Sequence, residues 1–152
     1  MLECKKMAML KVLMGLFILT MVFIAAPQQA QAYTLEVYNP NSEQLSFALV
    51  DYNDEYASWK VKGWYTVSPN STRTLEFTSS TRGKFIYIYA YTSKYSWSGA
   101  AYNGSITRTV MGKSFGYYTP EEQCPEGPNR RTVSFRKWSL ENDYLYWTPA
   151  EG

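Results

Sequence analysis

The stretch from Lys84 to Tyr91, Lys-Phe-Ile-Tyr-Ile-Tyr-Ala-Tyr, constrains the fold more than any other part of the chain. Nearly every position carries a β-branched or aromatic side chain, which is typical of a β-strand. Because side chains alternate across a strand, one face would carry Phe85, Tyr87, Tyr89 and Tyr91, and the other Ile86, Ile88 and Ala90. Neither face is polar, so the pattern predicts a central strand that is covered on both sides.

Other strand patterns lie on both sides of this stretch, at spacings near ten residues and with turn residues between them. They occupy residues 33–38, 45–52, 56–67, 73–78, 106–110, 114–118 and 132–138. No window shows an apolar stripe with the helical period of 3.6 residues. The sequence therefore predicts an all-β fold, an antiparallel β-sandwich of about seven to eight strands with little helix, and a closed barrel as the alternative.

Turn residues suggest how these strands connect. The turn Asn39-Pro40-Asn41-Ser42 predicts a hairpin between the first two strands, and Asn103-Gly104 is a strong hairpin-turn signal before residue 106. A glycine within a strand suggests a bulge, and Gly63 interrupts the third pattern. A one-residue bulge there would bring Trp59 and Trp64 to the same face of the strand.

The first 32 residues have the three parts of a secretory signal peptide. Basic residues come first, an apolar run of about 15 residues follows, and a small-x-small tripeptide ends at Ala32, where we expect cleavage. The apolar run is short of the ~20 residues that a membrane-spanning helix needs. The sequence predicts a signal peptide over 1–32, a β domain over 33–138 and an irregular tail over 139–152, in a protein exported to the periplasm or the extracellular space.

Removal of this segment leaves a nearly neutral protein, with 12 basic and 12 acidic residues from 33 to 152. We therefore expect no nucleic-acid partner, since such a partner requires a basic patch. The basic residues near the end of the domain, Arg130-Arg131 and Arg136-Lys137, have the spacing of solvent-facing strand ends. We expect membrane association only through an uncleaved signal peptide.

The chain contains no histidine, which excludes Ser-His-Asp and Cys-His catalytic groups and zinc sites that need His. An enzyme would have to use a carboxylate pair such as Asp51 with Glu76, and no pattern brings two carboxylates together. We therefore expect no enzyme activity, no catalytic residues and no cofactor.

The sequence contains one candidate metal-binding loop and one candidate reactive cysteine. The loop from Asp51 to Glu55 offers oxygen ligands, but Tyr56 and Lys62 stand where a calcium loop needs glycine and glutamate. An ordinary polar loop is the prediction, with no metal. Cys124 is the only cysteine after the signal peptide, and its acidic neighbours predict a raised thiol pKa and no nucleophilic role.

Aromatic residues are abundant after residue 32, where 24 of 120 residues are Phe, Tyr or Trp. Tyrosine and tryptophan suit recognition surfaces, although large aromatics also fill cores. The candidate binding residues are Trp59, Trp64, Tyr65, Tyr95 and Trp97. The sequence favours a non-enzymatic module with a binding or structural role in the cell envelope, whose partner is a protein or an envelope glycan. The alternative is an aromatic domain that binds glycans or the membrane surface.

The order of several motifs resembles a bacterial family of exported domains, the domain of unknown function numbered 1036. The resemblance spans roughly residues 35–138 and rests on Val37-Tyr38-Asn39, Ala48 to Tyr52, Lys62-Gly63-Trp64-Tyr65, Tyr89-Ala90-Tyr91 and Trp97-Ser98-Gly99. It implies export and a compact domain, and no activity or catalytic residues. Members of that family carry cysteines after the turn that corresponds to Val67-Ser68-Pro69 and after the motif Trp97-Ser98-Gly99. This chain has Asn70-Ser71-Thr72 and Ala101-Tyr102-Asn103 there, which leaves only Cys124, so the resemblance does not imply a disulfide.

Overall fold

The computed structural model describes residues 32–53, 55–78, 84–120 and 122–149. The predicted signal peptide, apart from Ala32, lies outside them. These residues form strands, turns and loops without a helix: β1 Ala32–Asn39, β2 Leu45–Asn53, β3 Ser58–Val67, β4 Ser71–Thr78, β5 Phe85–Tyr91, β6 Ser96–Trp97, β7 Ile106–Val110, β8 Phe115–Thr119, β9 Arg131–Ser139 and β10 Tyr144–Trp147. Accordingly, no helix among them is long and apolar enough to cross a membrane.

The strands form two sheets, which confirms the predicted all-β, sandwich-like fold. A small sheet has the order β10-β1-β4, and a large sheet has the order β7-β9-β5-β2-β3-β8, with β6 also pairing with β5. All pairs are antiparallel except β1 with β10, which is parallel. The described residues thus contain ten strands, more than the seven or eight expected.

Strand β5 lies inside the large sheet and is covered on both faces, as its sequence predicts. Ile86, Ile88 and Ala90 belong to the core between the two sheets, which we call the sandwich core. Tyr87 and Tyr89 belong to a second core on the opposite face, which we call the curl core. One strand therefore supplies both cores because it is apolar on both faces.

The large sheet curls around the curl core until its two edges, β7 and β8, approach each other. The Tyr117 hydroxyl on β8 donates a hydrogen bond of 2.8 Å to the carbonyl oxygen of Thr109 on β7. The Trp64 indole Nε1 donates a bond of 2.7 Å to the carbonyl oxygen of Met111, just after β7. These bonds link β7 and the residue after it to β8 and to its neighbour β3, so the curled sheet is nearly a closed barrel.

The predicted bulge in β3 is present. Phe47 pairs with Tyr65 and Ala48 pairs with Gly63, so Trp64 is the extra residue. Trp59 and Trp64 consequently pack on the same side, against the curl core. A Cβ atom at Gly63 would lie 2.9 Å from the Cβ atom of Ala48, so the close approach of β2 explains the glycine.

The predicted hairpin between β1 and β2 is wrong, because the two strands belong to different sheets. The buried side chain of Asn39 holds the chain as it crosses between them. Its Nδ2 donates to the carbonyl oxygens of Glu43 at 2.8 Å and Val67 at 3.1 Å, and its Oδ1 accepts from the Asn41 backbone at 3.1 Å. The turn residues therefore form a corner of the sandwich.

The tail predicted to be irregular contains a strand. β10 pairs in parallel with β1 from Thr34 with Tyr144 to Val37 with Trp147. Its residues alternate, since Tyr144 and Tyr146 are exposed while Trp147 is buried in the sandwich core. An open edge of β1 and one alternating apolar face are sufficient to order this segment.

Asp51, the first residue of the candidate calcium loop, forms an ion pair inside the sandwich. The Lys62 Nζ is 2.8 Å from Asp51 Oδ2, and these side chains are 15% and 3% exposed. Tyr33 donates to the same oxygen at 3.2 Å. Asp51 therefore points between the sheets and not into the following loop; Asp54 of that loop lies outside the described residues.

Candidate functional site

A groove of about 430 Å³ opens where the small sheet leaves part of the large sheet uncovered. Its walls come from four strands and the loop after β6, and its main side chains are Tyr95, Trp97, Tyr102, Arg136, Trp138 and Trp147. Ile88 of β5 also lines it, which places the groove on the sandwich-core face of the large sheet. The groove is therefore aromatic, with one cationic side chain.

Strand pairing explains why three of these side chains stand in a row. Strands β9 and β6 pair with successive segments of the same strand, β5. Trp138 lies opposite Ile86, Arg136 opposite Ile88, and Trp97 opposite Ala90. Residues directly opposite each other point to the same face of a sheet. The row Trp138, Arg136, Trp97 consequently follows the face on which Ile88 lies.

Arg136 is held between two aromatic rings. Its guanidinium carbon lies 3.6 Å from the ring centroid of Tyr102 and 4.3 Å from that of Trp138. Such contacts are attractive because the ring face is electron-rich. Of the four basic residues predicted to be solvent-facing, Arg130, Arg131 and Lys137 are exposed, whereas Arg136 is half-buried in the groove wall.

The loop that carries Tyr102 is bound to β9 at Gly99. The Gly99 amide donates a bond of 2.8 Å to the carbonyl oxygen of Ser134. A Cβ atom at Gly99 would lie 2.4 Å from the carbonyl oxygen of Phe135, so only glycine fits. The hairpin expected at Asn103-Gly104 is not formed, because β7 pairs with β9 and β6 pairs with β5. The Asn-Gly pair instead lies in the loop between β6 and β7, where Gly104 has a positive φ of 78°.

The opposite rim is a tight turn that positions Tyr95. The Thr92 amide donates to the Tyr95 carbonyl oxygen at 2.8 Å, and the Thr92 hydroxyl accepts from the Tyr95 amide at 3.1 Å. Glu43 ties the turn to the sandwich corner by accepting a short hydrogen bond from Ser93 and pairing with Lys94 at 2.9 Å. These partners, the Ser93 hydroxyl first, lower the pKa of Glu43 to about 2.

Trp147 closes the inner end of the groove and is only 3% exposed. Its ring packs against Trp138 at 6.3 Å and against Phe47 at 6.4 Å between centroids. Its indole Nε1 is buried and has no hydrogen-bond acceptor among the described residues. The groove wall thus contains a buried donor that its own neighbours leave unsatisfied.

The five candidate binding residues do not form one site. Tyr95, which is 52% exposed, and Trp97 line the groove with their rings 6.3 Å apart. Trp59 and Trp64 pack on the curl core, on the opposite face of the large sheet. Tyr65 packs on the sandwich core and stacks on Phe47 at 5.3 Å. Only Tyr95 and Trp97 therefore lie in the groove.

Four groove residues are not among the candidates that the sequence predicts: Tyr102, Arg136, Trp138 and Trp147. One signal for two of them was available, because Arg136 and Trp138 are two apart in a predicted strand and must share a face. Nothing local marks Tyr102 or Trp147. They reach the groove through a loop and through a parallel pairing with β1, which no short pattern encodes.

Cys124 is buried in the curl core and lies apart from the groove. The pKa of its thiol is raised, as predicted, but burial is the main cause and Glu126 a smaller one, while Arg130 opposes the shift. A second cavity of about 320 Å³ between β7 and β8 also includes Cys124 and Arg130. In the described part of the chain, no three Cys, Asp or Glu residues gather as metal ligands.

No family model, curated protein or solved structure matches the chain. The resemblance to the domain of unknown function numbered 1036 stays a prediction.

Proposed function

We propose that this protein is an exported, non-enzymatic module that binds a glycan of the cell envelope in the aromatic groove. The carrying observation is the row of Trp97, Arg136 and Trp138 on one open sheet face, set by their pairing with β5. The apolar faces of sugar rings stack on aromatic side chains, while their hydroxyls need polar partners. The groove supplies both kinds of contact.

The size and polarity of the groove support this proposal. About 430 Å³ is within the range of small-ligand sites, and it suits one or two sugar rings. Ser96, Ser98 and Thr148 also line the groove and offer hydroxyls. Tyr95 and Tyr102 stand at its rim, 52% and 48% exposed, where a longer chain of sugars could leave it.

Tryptophan fluorescence during titration with soluble peptidoglycan fragments tests the proposal. We expect a saturable change in the native protein and about tenfold weaker binding after Trp97→Ala, since one stacking contact is lost. Tyr56→Ala is the matched control, because Tyr56 is 57% exposed but lies outside the groove. No change with any envelope glycan, or a change with lipid vesicles alone, would contradict the proposal.

We propose export through the segment 1–32, with cleavage after Ala32. Strand β1 begins at Ala32, and Tyr33 is buried, so cleavage there would spare almost all of the strand. The intact mass of the protein recovered from the periplasm or the medium tests this proposal. We expect a chain that begins at Tyr33, and a cytoplasmic, full-length protein would contradict export.

A further inference from the structure

We propose that the groove selects saccharides that carry a carboxylate, such as uronic acids, and that Arg136 binds this group. This inference rests on the proposed function, because it names the ligand class for the same groove.

The groove carries one unopposed positive charge. Arg136 is the only acidic or basic side chain among the residues that line it. The carboxylate tied to its rim, Glu43, is already paired with Lys94 at 2.9 Å. Within the described residues no acidic side chain pairs with Arg136. A neutral sugar would leave this cation uncompensated, whereas a carboxylated sugar would neutralise it.

The donors of the groove lack acceptors. The Arg136 guanidinium contacts rings and has no hydrogen-bond acceptor in the ranges that the structure describes. The buried Nε1 of Trp147 likewise has none there. Buried donors normally have partners, because an unmade hydrogen bond costs free energy. A ligand rich in acceptor oxygens would satisfy the donors that Arg136 presents to the groove, and a carboxylate offers the most acceptor positions on the smallest group.

The mounting of Arg136 suits two-point recognition of a carboxylate. The rings of Tyr102 and Trp138 hold the guanidinium at 3.6 and 4.3 Å from their centroids, which restricts its movement before any ligand arrives. The five N–H donors of a guanidinium lie in its plane and match the two oxygens of a carboxylate. Less side-chain entropy is therefore lost on binding.

Binding of a matched pair of probes tests the inference. Trigalacturonate and its methyl ester have the same rings, but the ester lacks the negative charges. We expect calorimetry at low salt to show at least about tenfold tighter binding of the acid, as for hydrogen bonds to charged groups. Sodium chloride should weaken binding of the acid and leave the ester nearly unchanged.

Variants assign the preference to one residue. Arg136→Gln should abolish the preference, and Arg136→Lys should retain only part of it because an ammonium cannot form the planar pair. Arg131→Gln is the matched control, since Arg131 also lies over rings, those of Trp64 at 5.9 Å and Tyr91 at 5.5 Å, but outside the groove. Near-ultraviolet circular dichroism verifies that each variant is folded.

Each outcome decides between the two proposals. Equal binding of acid and ester would overturn the carboxylate inference and leave glycan binding intact. A preference that survives Arg136→Gln in a folded protein would overturn the role of Arg136. If neither trigalacturonate nor its ester binds, the carboxylate inference is overturned. If peptidoglycan fragments fail as well, the proposed function falls with it.

Discussion

The guanidinium of Arg136 and the ring of Tyr102 are stacked, with 3.6 Å between the guanidinium carbon and the ring centroid. This contact joins strand β9 to the loop after β6 and builds one side of the groove. It depends on how closely the loop approaches β9, which the backbone at Gly99 determines.

Gly99→Ala should displace this loop. The new Cβ atom would lie 2.4 Å from the Phe135 carbonyl oxygen and 2.7 Å from the Arg136 nitrogen, and backbone atoms of a central strand cannot yield easily. We expect a loss of at least about 2 kcal/mol in the free energy of unfolding, measured by urea denaturation, and a loss of glycan binding.

Gly116→Ala provides the control. A Cβ atom added at Gly116 would have the Val61 carbonyl oxygen as its nearest neighbour, at an ordinary contact distance of 3.9 Å. We expect a change within about 0.5 kcal/mol for this variant. Equal effects of the two alanines would show that the close approach at Gly99 has no special role.

Trp64 and Trp97 should respond differently to replacement by phenylalanine. Trp64→Phe removes the bond of 2.7 Å from Nε1 to the Met111 carbonyl oxygen. We expect it to lower the free energy of unfolding by about 1 kcal/mol and to leave glycan binding unchanged. Trp97→Phe should change the free energy of unfolding less than Trp64→Phe does, and it should weaken glycan binding. Thermal unfolding and calorimetry on both variants check this. If Trp64→Phe weakened binding and Trp97→Phe did not, the glycan would bind at the curl core and not in the groove.

The sequence predicts individual strands better than it predicts the groove. The two apolar faces of β5 follow from alternation within seven residues, and the bulge at Gly63 follows from a glycine inside a strand pattern. Both are local, so the sequence predicts them. The turn residues after Asn39 mark the end of β1 but do not identify its partner strand. β1 pairs in the small sheet, where Tyr33, Leu35 and Val37 face the sandwich core.

The groove is built by residues that are far apart in the chain. Arg136 meets Tyr102 across 34 positions of chain, and Trp147 arrives through a parallel pairing with Val37. Alternation can place Arg136 and Trp138 on one face, but it cannot say that the small sheet leaves that face open. Of the five aromatic candidates, the sequence could not separate Trp97 in the groove from Trp64 in the core, since both lie in short stretches rich in aromatic residues.

Lys62→Met should destabilise the sandwich. It removes the partner at 2.8 Å from Asp51, whose side chain is 3% exposed. We expect a loss of about 2–4 kcal/mol at neutral pH, because a buried carboxylate loses its counter-charge. Chemical denaturation of the double variant Asp51→Asn, Lys62→Met is the matched measurement. It should recover a large part of the loss, and an additive further loss would contradict the ion-pair explanation.

Glu43 should resist protonation far into the acid range. The Ser93 hydroxyl and Lys94 lower its pKa from the ordinary value of 4.5 to about 2. A folded pKa below the unfolded one adds stability at neutral pH, and this contribution is lost as the pH falls from about 5 to about 2. The carboxyl carbon resonance of Glu43, followed by NMR against pH, should show a midpoint near 2.

Lys94→Ala and Ser93→Ala should each move this midpoint toward 4.5 and speed amide exchange at Tyr95, whose amide donates to Thr92 in the same turn. A midpoint near 4.5 in the native protein would mean that Glu43 does not hold the rim of the groove.

The most direct test of glycan binding at the groove uses the indole N–H resonances of the five tryptophans. Trp97, Trp138 and Trp147 line the groove, while Trp59 and Trp64 pack on the opposite face of the sheet. In a nitrogen–proton correlation spectrum, addition of an envelope glycan should shift the first three resonances and leave the other two in place. Shifts confined to Trp59 and Trp64, or no shift at saturating glycan, would contradict a binding site in this groove.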